Sequence, residues 1–298
     1  MTVREVVETP VRFPALDGYD LGGTTYVPAG FDEPAIVIVF SAGGGVAAAR
    51  YTRLARYLAA HGYPVLTYDY RGIGVSRPKN LRQLHVGVED WSECDCGGAI
   101  AHLRSLYPSA EIVGMAHSLG ALLMGGAPNV ADVSRFVFIG AHTGYYKDYL
   151  RRYQLPMALL WHGLMPVLTR AFGFFPARAL RLGEDIPAGI ALQWAARRSP
   201  DFRPESARDV ARGRALLGRC ANVAGNALVL EFADDAFATQ AGTRRLLSIF
   251  PGLRTHRLRL TPAEAGMKKI GHFGFFRRQA EIVLWPRLIA FLRNTAVR

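Results

Sequence analysis

Residues 3 to 13 and 19 to 27 alternate apolar and polar positions and are joined at A-L-D-G, residues 15 to 18. A period of two predicts strands with one buried face, and so short a link predicts an antiparallel pair. Beyond them the rhythm changes. Continuous apolar runs at 35–40, 64–69, 111–114, 136–140, 227–232 and 256–260 alternate with segments of helical period. Strand and helix in repetition predict a mostly parallel sheet with helices on both faces, an α/β fold. One interval breaks the alternation: residues 142–222 are helical in period and rich in aromatics, among them Tyr145, Tyr146, Tyr149, Tyr153, Trp161 and Trp194. So long a connection between two core strands must be structured or functional. It predicts a helical cap over the C-terminal edge of the sheet, with 1–141 and 223–298 forming the core. No internal repeat or low-complexity segment is visible.

Composition narrows the class. With 298 residues, half of them hydrophobic, the chain can bury a large core as one domain with an insertion or as two domains. Its first ten residues carry acids and no apolar run of signal-peptide type. The apolar stretch 155–168 is interrupted by His162, Gly163 and two prolines and falls short of a membrane span, so a buried or lid helix is expected there. Cys94, Cys96 and Cys220 show neither a redox pair nor zinc-ligand spacing, which suits a reducing, cytoplasmic setting, and the eight histidines form no metal motif. No metal is expected.

Charge adds one question. The net charge is +12, and only four of the 36 basic residues are lysines. Nucleic acid is not expected as a partner, because the arginines are dispersed and no helix-turn-helix, zinc-finger or RNA-binding pattern occurs. Thirteen basic and six acidic residues fall within 142–222. A solvated arginine-rich surface is the plainer reading, and attraction for an anionic substrate the sharper one.

The chemistry concentrates at residues 110 to 120, A-E-I-V-G-M-A-H-S-L-G, where an apolar strand runs into a small-x-Ser-x-Gly turn. Such a turn lifts the Ser118 hydroxyl clear of the sheet and leaves the next backbone N–H free to receive an oxyanion. Two further groups follow in the order a serine triad requires. Asp234 and Asp235 stand at the end of the strand 227–232, and His272 lies between glycines in K-K-I-G-H-F-G-F-F. Either aspartate fits the acid, and the other role for Asp234 is to cap a helix starting near Phe237. The rival bases are weaker: His256 falls in or beside a strand, His117 points away from the serine, and His85 sits in a loop of unknown course. After the first parallel strand, Gly43, Gly44 and Gly45 suit an oxyanion loop, with Gly45 or Val46 giving one N–H and Leu119 the other. A phosphate-cradling loop is the competing idea, but the Walker and GxGxxG spacings are both missing.

At D-Y-R-G-I-G-V-S, residues 69 to 76, the chain comes to resemble the α/β-hydrolase superfamily over nearly its whole length. More narrowly it is similar to bacterial predicted α/β-hydrolases labelled serine-aminopeptidase-like, through T-G-Y-Y (143–146), the blocks within 172–194, and G-H-F-G-F-F (271–276). The resemblance implies Ser118, Asp235 and His272 as the triad, since D-A-F-A-T resembles the tail that follows the catalytic aspartate in such folds. It also implies an oxyanion hole near Gly45, Val46 and Leu119, and no cofactor. Ala116 and Ala121 depart from the glycines expected around the elbow.

The expected activity is cleavage of a carboxylic ester, thioester or related acyl compound through an acyl-enzyme, with a small-molecule substrate and a cap that shapes the acyl pocket. An acyltransferase using the same triad is the nearest rival. A non-catalytic ligand binder on a hydrolase scaffold is the other.

Overall fold

A computed structural model describes residues 4–30, 33–197 and 207–293. Strands β1 (Val6–Pro14), β2 (Asp20–Pro28), β3 (Ile36–Ser41), β4 (Val65–Tyr68), β5 (Glu111–His117) and β6 (Val133–Ile139) precede the long insertion. Within it lies a two-residue pair, β7 (Phe174–Phe175) and β8 (Ile186–Pro187), and after it come β9 (Gly225–Phe232) and β10 (Leu253–Leu260). The main sheet runs β1-β2-β4-β3-β5-β6-β9-β10. β1 pairs with β2 and β2 with β4 antiparallel, and every later pairing is parallel. The alternating start and the apolar runs of the sequence thus became the edge pair and the parallel body; residue 3 lies outside the described residues.

The order of the strands places the site. From β3 the chain steps outward to β4, then returns to lay β5 on the other side of β3. The loops leaving β3 and β5 therefore diverge from neighbouring strands, and the crevice between them opens at the carboxyl ends. β5 is buried from Ile112 onward, and so are most positions of β3 and β6, which explains why these strands read as continuous apolar runs.

The D-Y-R-G-I-G-V-S segment is a clamp on that crevice. Asp69 accepts Ala48 N–H at 2.7 Å and Val75 N–H at 2.9 Å, tying the loop after β3 to the loop after β4. Ser76 accepts Gly22 N–H at 2.8 Å and donates to Asp69 O at 2.7 Å, and Arg71 reaches Asp95 at 2.7 Å.

Between β6 and β9 the insertion forms helices Arg151–Leu159, Met165–Phe172 and Ala188–Ala196, then helix Ala207–Asn222. The last of these packs on the core: Leu216 and Cys220 are fully buried beside the helix Gly120–Gly125. Two of the insertion's arginines tie it to the core by ion pairs. Arg212 meets Asp90 at 2.8 Å and Glu93 at 2.7 Å, and Arg219 meets Glu93 at 2.6 Å. Among the described residues, no helix is long and apolar enough to cross a membrane.

Candidate active site

β5 delivers Ser118 through a sharp turn. Its φ is +56°, in the left-handed region that a side chain rarely adopts, and its N–H donates to Ile139 O at 3.1 Å, the end of the neighbouring strand. Gly120 opens the following helix, Gly120–Gly125, and a Cβ there would lie 2.5 Å from Ala42 O and 2.6 Å from Ser41 O. Only glycine lets this helix sit so close to the end of β3. Ala116 and Ala121, the two departures around the elbow, are fully buried.

Ser118, His272 and Asp235 are brought together from three distant parts of the chain. His272 Nε2 lies 3.1 Å from Ser118 Oγ, and its Nδ1 lies 2.7 Å from Asp235 Oδ2. The other carboxylate oxygen of Asp235 accepts the Phe237 N–H at 2.8 Å and the Ala238 N–H at 3.0 Å. Burial raises the Asp235 carboxyl, but the adjacent His272 and the two N–H donors outweigh it and hold it down at about 2. It remains a carboxylate over the working range. Asp234 does something else: it accepts the N–H of Ile270 and of Gly271, each at 2.9 Å, and so pins the loop that carries His272. Neither aspartate caps a helix near Phe237. The helix begins at Gln240 and is capped by Thr239, whose hydroxyl accepts the Gly242 N–H.

A histidine absent from the sequence-based candidates also reaches Ser118 Oγ. His142, two residues beyond Gly140 at the end of β6, is buried, with Nε2 3.0 Å from Ser118 Oγ. Its Nδ1 accepts the Gly144 N–H at 2.9 Å. Burial pushes the His142 imidazole down to about 3, with the neighbouring His272 adding to the fall. The usable signal was its position directly beyond a core strand at the carboxyl edge, the same one that marked Asp235.

His117 faces away from the serine, as its place in the elbow predicts, and joins two parts of the site. Its Nε2 lies 3.1 Å from His272 O and its Nδ1 2.9 Å from Tyr51 Oη, which also accepts the Gly43 N–H at 3.0 Å. Burial keeps this imidazole neutral, well below its ordinary range. A carbonyl can only accept, so His117 carries its proton on Nε2 and Tyr51 donates to Nδ1. His85 is exposed, and His256 is exposed within β10 opposite Leu228. Neither comes to the site.

The glycine loop differs in register from the expectation. The Val46 N–H donates to Gly43 O at 3.1 Å and closes a turn, so it is committed within the loop. Gly45 faces the insertion, accepting the Glu184 N–H at 3.0 Å and lying against Ile186. Gly43 lies beside Ser118, where a Cβ would stand 3.4 Å from Ser118 Cβ, and Gly44 packs against Leu119 and Trp194. The turn through Gly43 O carries Gly45 and Val46 past the serine, and three consecutive glycines give no sequence signal for where that turn falls. Leu119, the residue after Ser118, is the N-cap of the following helix.

Aromatic rings surround His272 and His142. Phe237 stands edge-on to His272 with ring centres 5.6 Å apart, and Tyr149 stands edge-on to His142 at 5.6 Å and to Trp161 at 5.5 Å. Trp161 in turn meets Trp194 at 5.3 Å. Tyr149, Trp161 and Trp194 all come from the insertion. Ser118 itself is only 8% exposed.

With this geometry in view, comparison with known proteins is informative. A sequence model of the serine aminopeptidase S33 family matches residues 32–186. Among solved structures, an esterase of Pyrococcus furiosus superposes with a TM-score of 0.60 at 16% identity, covering 98% of this chain and 91% of that one. An α/β-hydrolase, GrgF, from a Penicillium species gives 0.61 at 17% identity over 97% and 98% of the two chains. The esterase domain of a Rhodothermus marinus protein gives 0.58 at 16% identity over 97% and 98%. At these identities the likeness is one of fold. No curated protein matches the chain in sequence.

Proposed function

The chain belongs to the serine aminopeptidase S33 family of α/β-hydrolases, and from that premise we propose that it is a serine hydrolase acting on a carboxylic ester, thioester or related acyl compound. The observation that carries this reading is the unbroken hydrogen-bonded series from Asp235 through His272 to Ser118, ending on a serine held at positive φ. His272 takes the Oγ proton as the oxygen attacks the acyl carbon and passes it to the leaving group, and water repeats the cycle to release the acid. Asp235 fixes the imidazole with its proton on Nδ1 and stabilises the imidazolium. For the oxyanion, the donors are Leu119 N–H and, in place of Gly45 or Val46, the Gly44 N–H beside it.

The insertion acts as the cap, its aromatic side chains enclosing an apolar acyl group near Ser118. Ester or thioester is favoured over peptide by the state of the insertion's acids. Asp148 pairs with Arg245 at 2.6 Å, Asp185 with Arg77 at 2.8 Å, and Glu184 with Arg178, which leaves none of these three to bind a substrate α-amino group. Asp201 and Glu205 lie outside the described residues, as does the side chain of Asp209.

A fluorophosphonate probe tests the reading. It should label the protein at Ser118, located by mass spectrometry, and should not label a folded Ser118→Ala variant, whose kcat on graded esters should fall by on the order of 10³ to 10⁶. A wild type that resists both this probe and a small sulfonyl fluoride would overturn it.

A further inference from the structure

We propose that His142 is a second histidine of the reaction, a neutral hydrogen-bond donor to Ser118 Oγ that supports the charge gathering on that oxygen while His272 removes its proton. The inference rests on the serine hydrolase reading and adds a group to it.

Proton bookkeeping assigns the role. A backbone N–H can only donate, so the Gly144 N–H at 2.9 Å requires a bare Nδ1 on His142, and the single proton of the neutral ring must sit on Nε2. That atom is 3.0 Å from Ser118 Oγ, so the proton points at the nucleophile. His272 is the opposite tautomer. Its Nδ1–H is directed at the Asp235 carboxylate, leaving Nε2 bare to accept the serine proton. Ser118 Oγ thus gives its proton to one imidazole and receives one from the other, and the ring centres of the two histidines are 5.4 Å apart. A His272 that accepts the serine proton while His142 donates to the same oxygen requires both rings to be neutral before attack.

During acylation the Oγ–C bond forms and the carbonyl π pair moves to its oxygen, while the Oγ proton moves to His272 Nε2. When the tetrahedral species collapses, the bond to the leaving group breaks and His272 returns the proton to that group. His142 keeps its proton throughout. Its contribution is greatest when Oγ is most negative, on attack and again when Oγ leaves in deacylation. Its neutrality matters here, because an imidazolium at this place would oppose the charge that His272 acquires. Enclosure by Tyr149 and the absence of a carboxylate partner at either nitrogen keep the ring uncharged.

The test is the second-order rate of fluorophosphonate labelling, with kcat and KM on one chromogenic ester, for wild type, His142→Gln and His142→Phe, each first shown folded by its thermal transition. Gln retains an N–H donor, and Phe fills the space without one. Labelling and kcat should fall about 10- to 100-fold in His142→Phe, the size of one lost hydrogen bond to a developing charge, with KM little changed. His142→Gln should recover most of that loss. A His142→Phe protein that labels as fast as wild type would overturn the proposal, as would a Gln variant as slow as the Phe variant. If His142→Phe does not fold, His142→Ala replaces it and must show the same deficit relative to Gln. Failure of the wild type to label would instead sink the serine hydrolase reading, and the role of His142 with it.

Discussion

The carboxyl edge of the sheet and the helical insertion both surround Ser118, but they are built differently. At the edge, β3, β5, β6 and β9 are neighbours in a parallel ladder, and each leads directly into a residue of the site: Gly43, Ser118, His142 and Asp235. Their spacing is set by continuous backbone hydrogen bonds and by buried side chains. The insertion reaches the same place mainly through side chains, with Tyr149, Trp161 and Trp194 in ring contact around it. Its outer side carries Leu150, Leu155, Leu159, Leu164, Val167 and Phe172 among the exposed large apolar residues of the protein. The contrast teaches that groups which must meet at fixed hydrogen-bonding distances need the rigid frame, whereas an enclosing aromatic wall can be held by packing, which tolerates change.

The largest test of this division separates the two adjacent aspartates. Asp235→Asn should lower kcat by on the order of 10⁴, because the amide holds His272 in the wrong tautomer. Asp234→Ala removes two hydrogen bonds from the loop carrying His272 and should cost about tenfold, of which Asp234→Asn restores only part because its amide oxygen accepts one of the two N–H groups, as steady-state rates on one ester would reveal. A loss in Asp234→Ala as large as that in Asp235→Asn would remove the distinction drawn between acid and loop anchor.

Next comes the frame itself. Gly120→Ala would drive a Cβ into two backbone carbonyls that cannot yield as a flexible side chain would. A loss of about 1 to 3 kcal/mol in urea unfolding is expected, with reduced activity in the folded fraction. A smaller effect, on the order of 1 kcal/mol per pH unit, is expected from the buried histidines. His142 and His117 are depressed in the folded protein, so the unfolded chain takes up their protons near pH 6.5 while the folded protein does not. Their contribution is complete above pH 6.5 and is lost as pH falls toward the folded values, at up to ~1.4 kcal/mol per unit for each histidine. Urea midpoints at pH 7.5 and 5.5 should show the drop, and His142→Gln should shrink it. The smallest effect belongs to the outer side of the insertion. Leu159 is 64% exposed, and Leu159→Gln should shift stability by less than about 0.5 kcal/mol and leave turnover of a short ester unchanged. A large loss there would show that this side is not the tolerant region the comparison makes it.

Much of this was legible in one dimension. Alternation at the start, apolar runs afterwards and the helical interval at 142–222 follow local periodicities, and the strands appeared where those periodicities changed. The small-x-Ser-x-Gly turn was readable because strand-to-helix geometry is a local demand on backbone and side-chain size, which Ser118 and Gly120 meet within three residues. The order of Ser118, Asp235 and His272 along the chain was readable too. Tertiary structure decided which aspartate meets the imidazole and which holds its loop, since both stand at the end of β9 and only the path of residues 270–272 separates them. It decided that Val46 is committed to a turn and that Gly43 lies against the serine. It also brought His142 to Ser118 Oγ. Local sequence fixes the backbone path over a few residues, but the convergence of His142, His272 and Asp235 on one oxygen and one ring depends on strand pairing and loop closure across the fold, where neighbouring residues carry no record of the partner.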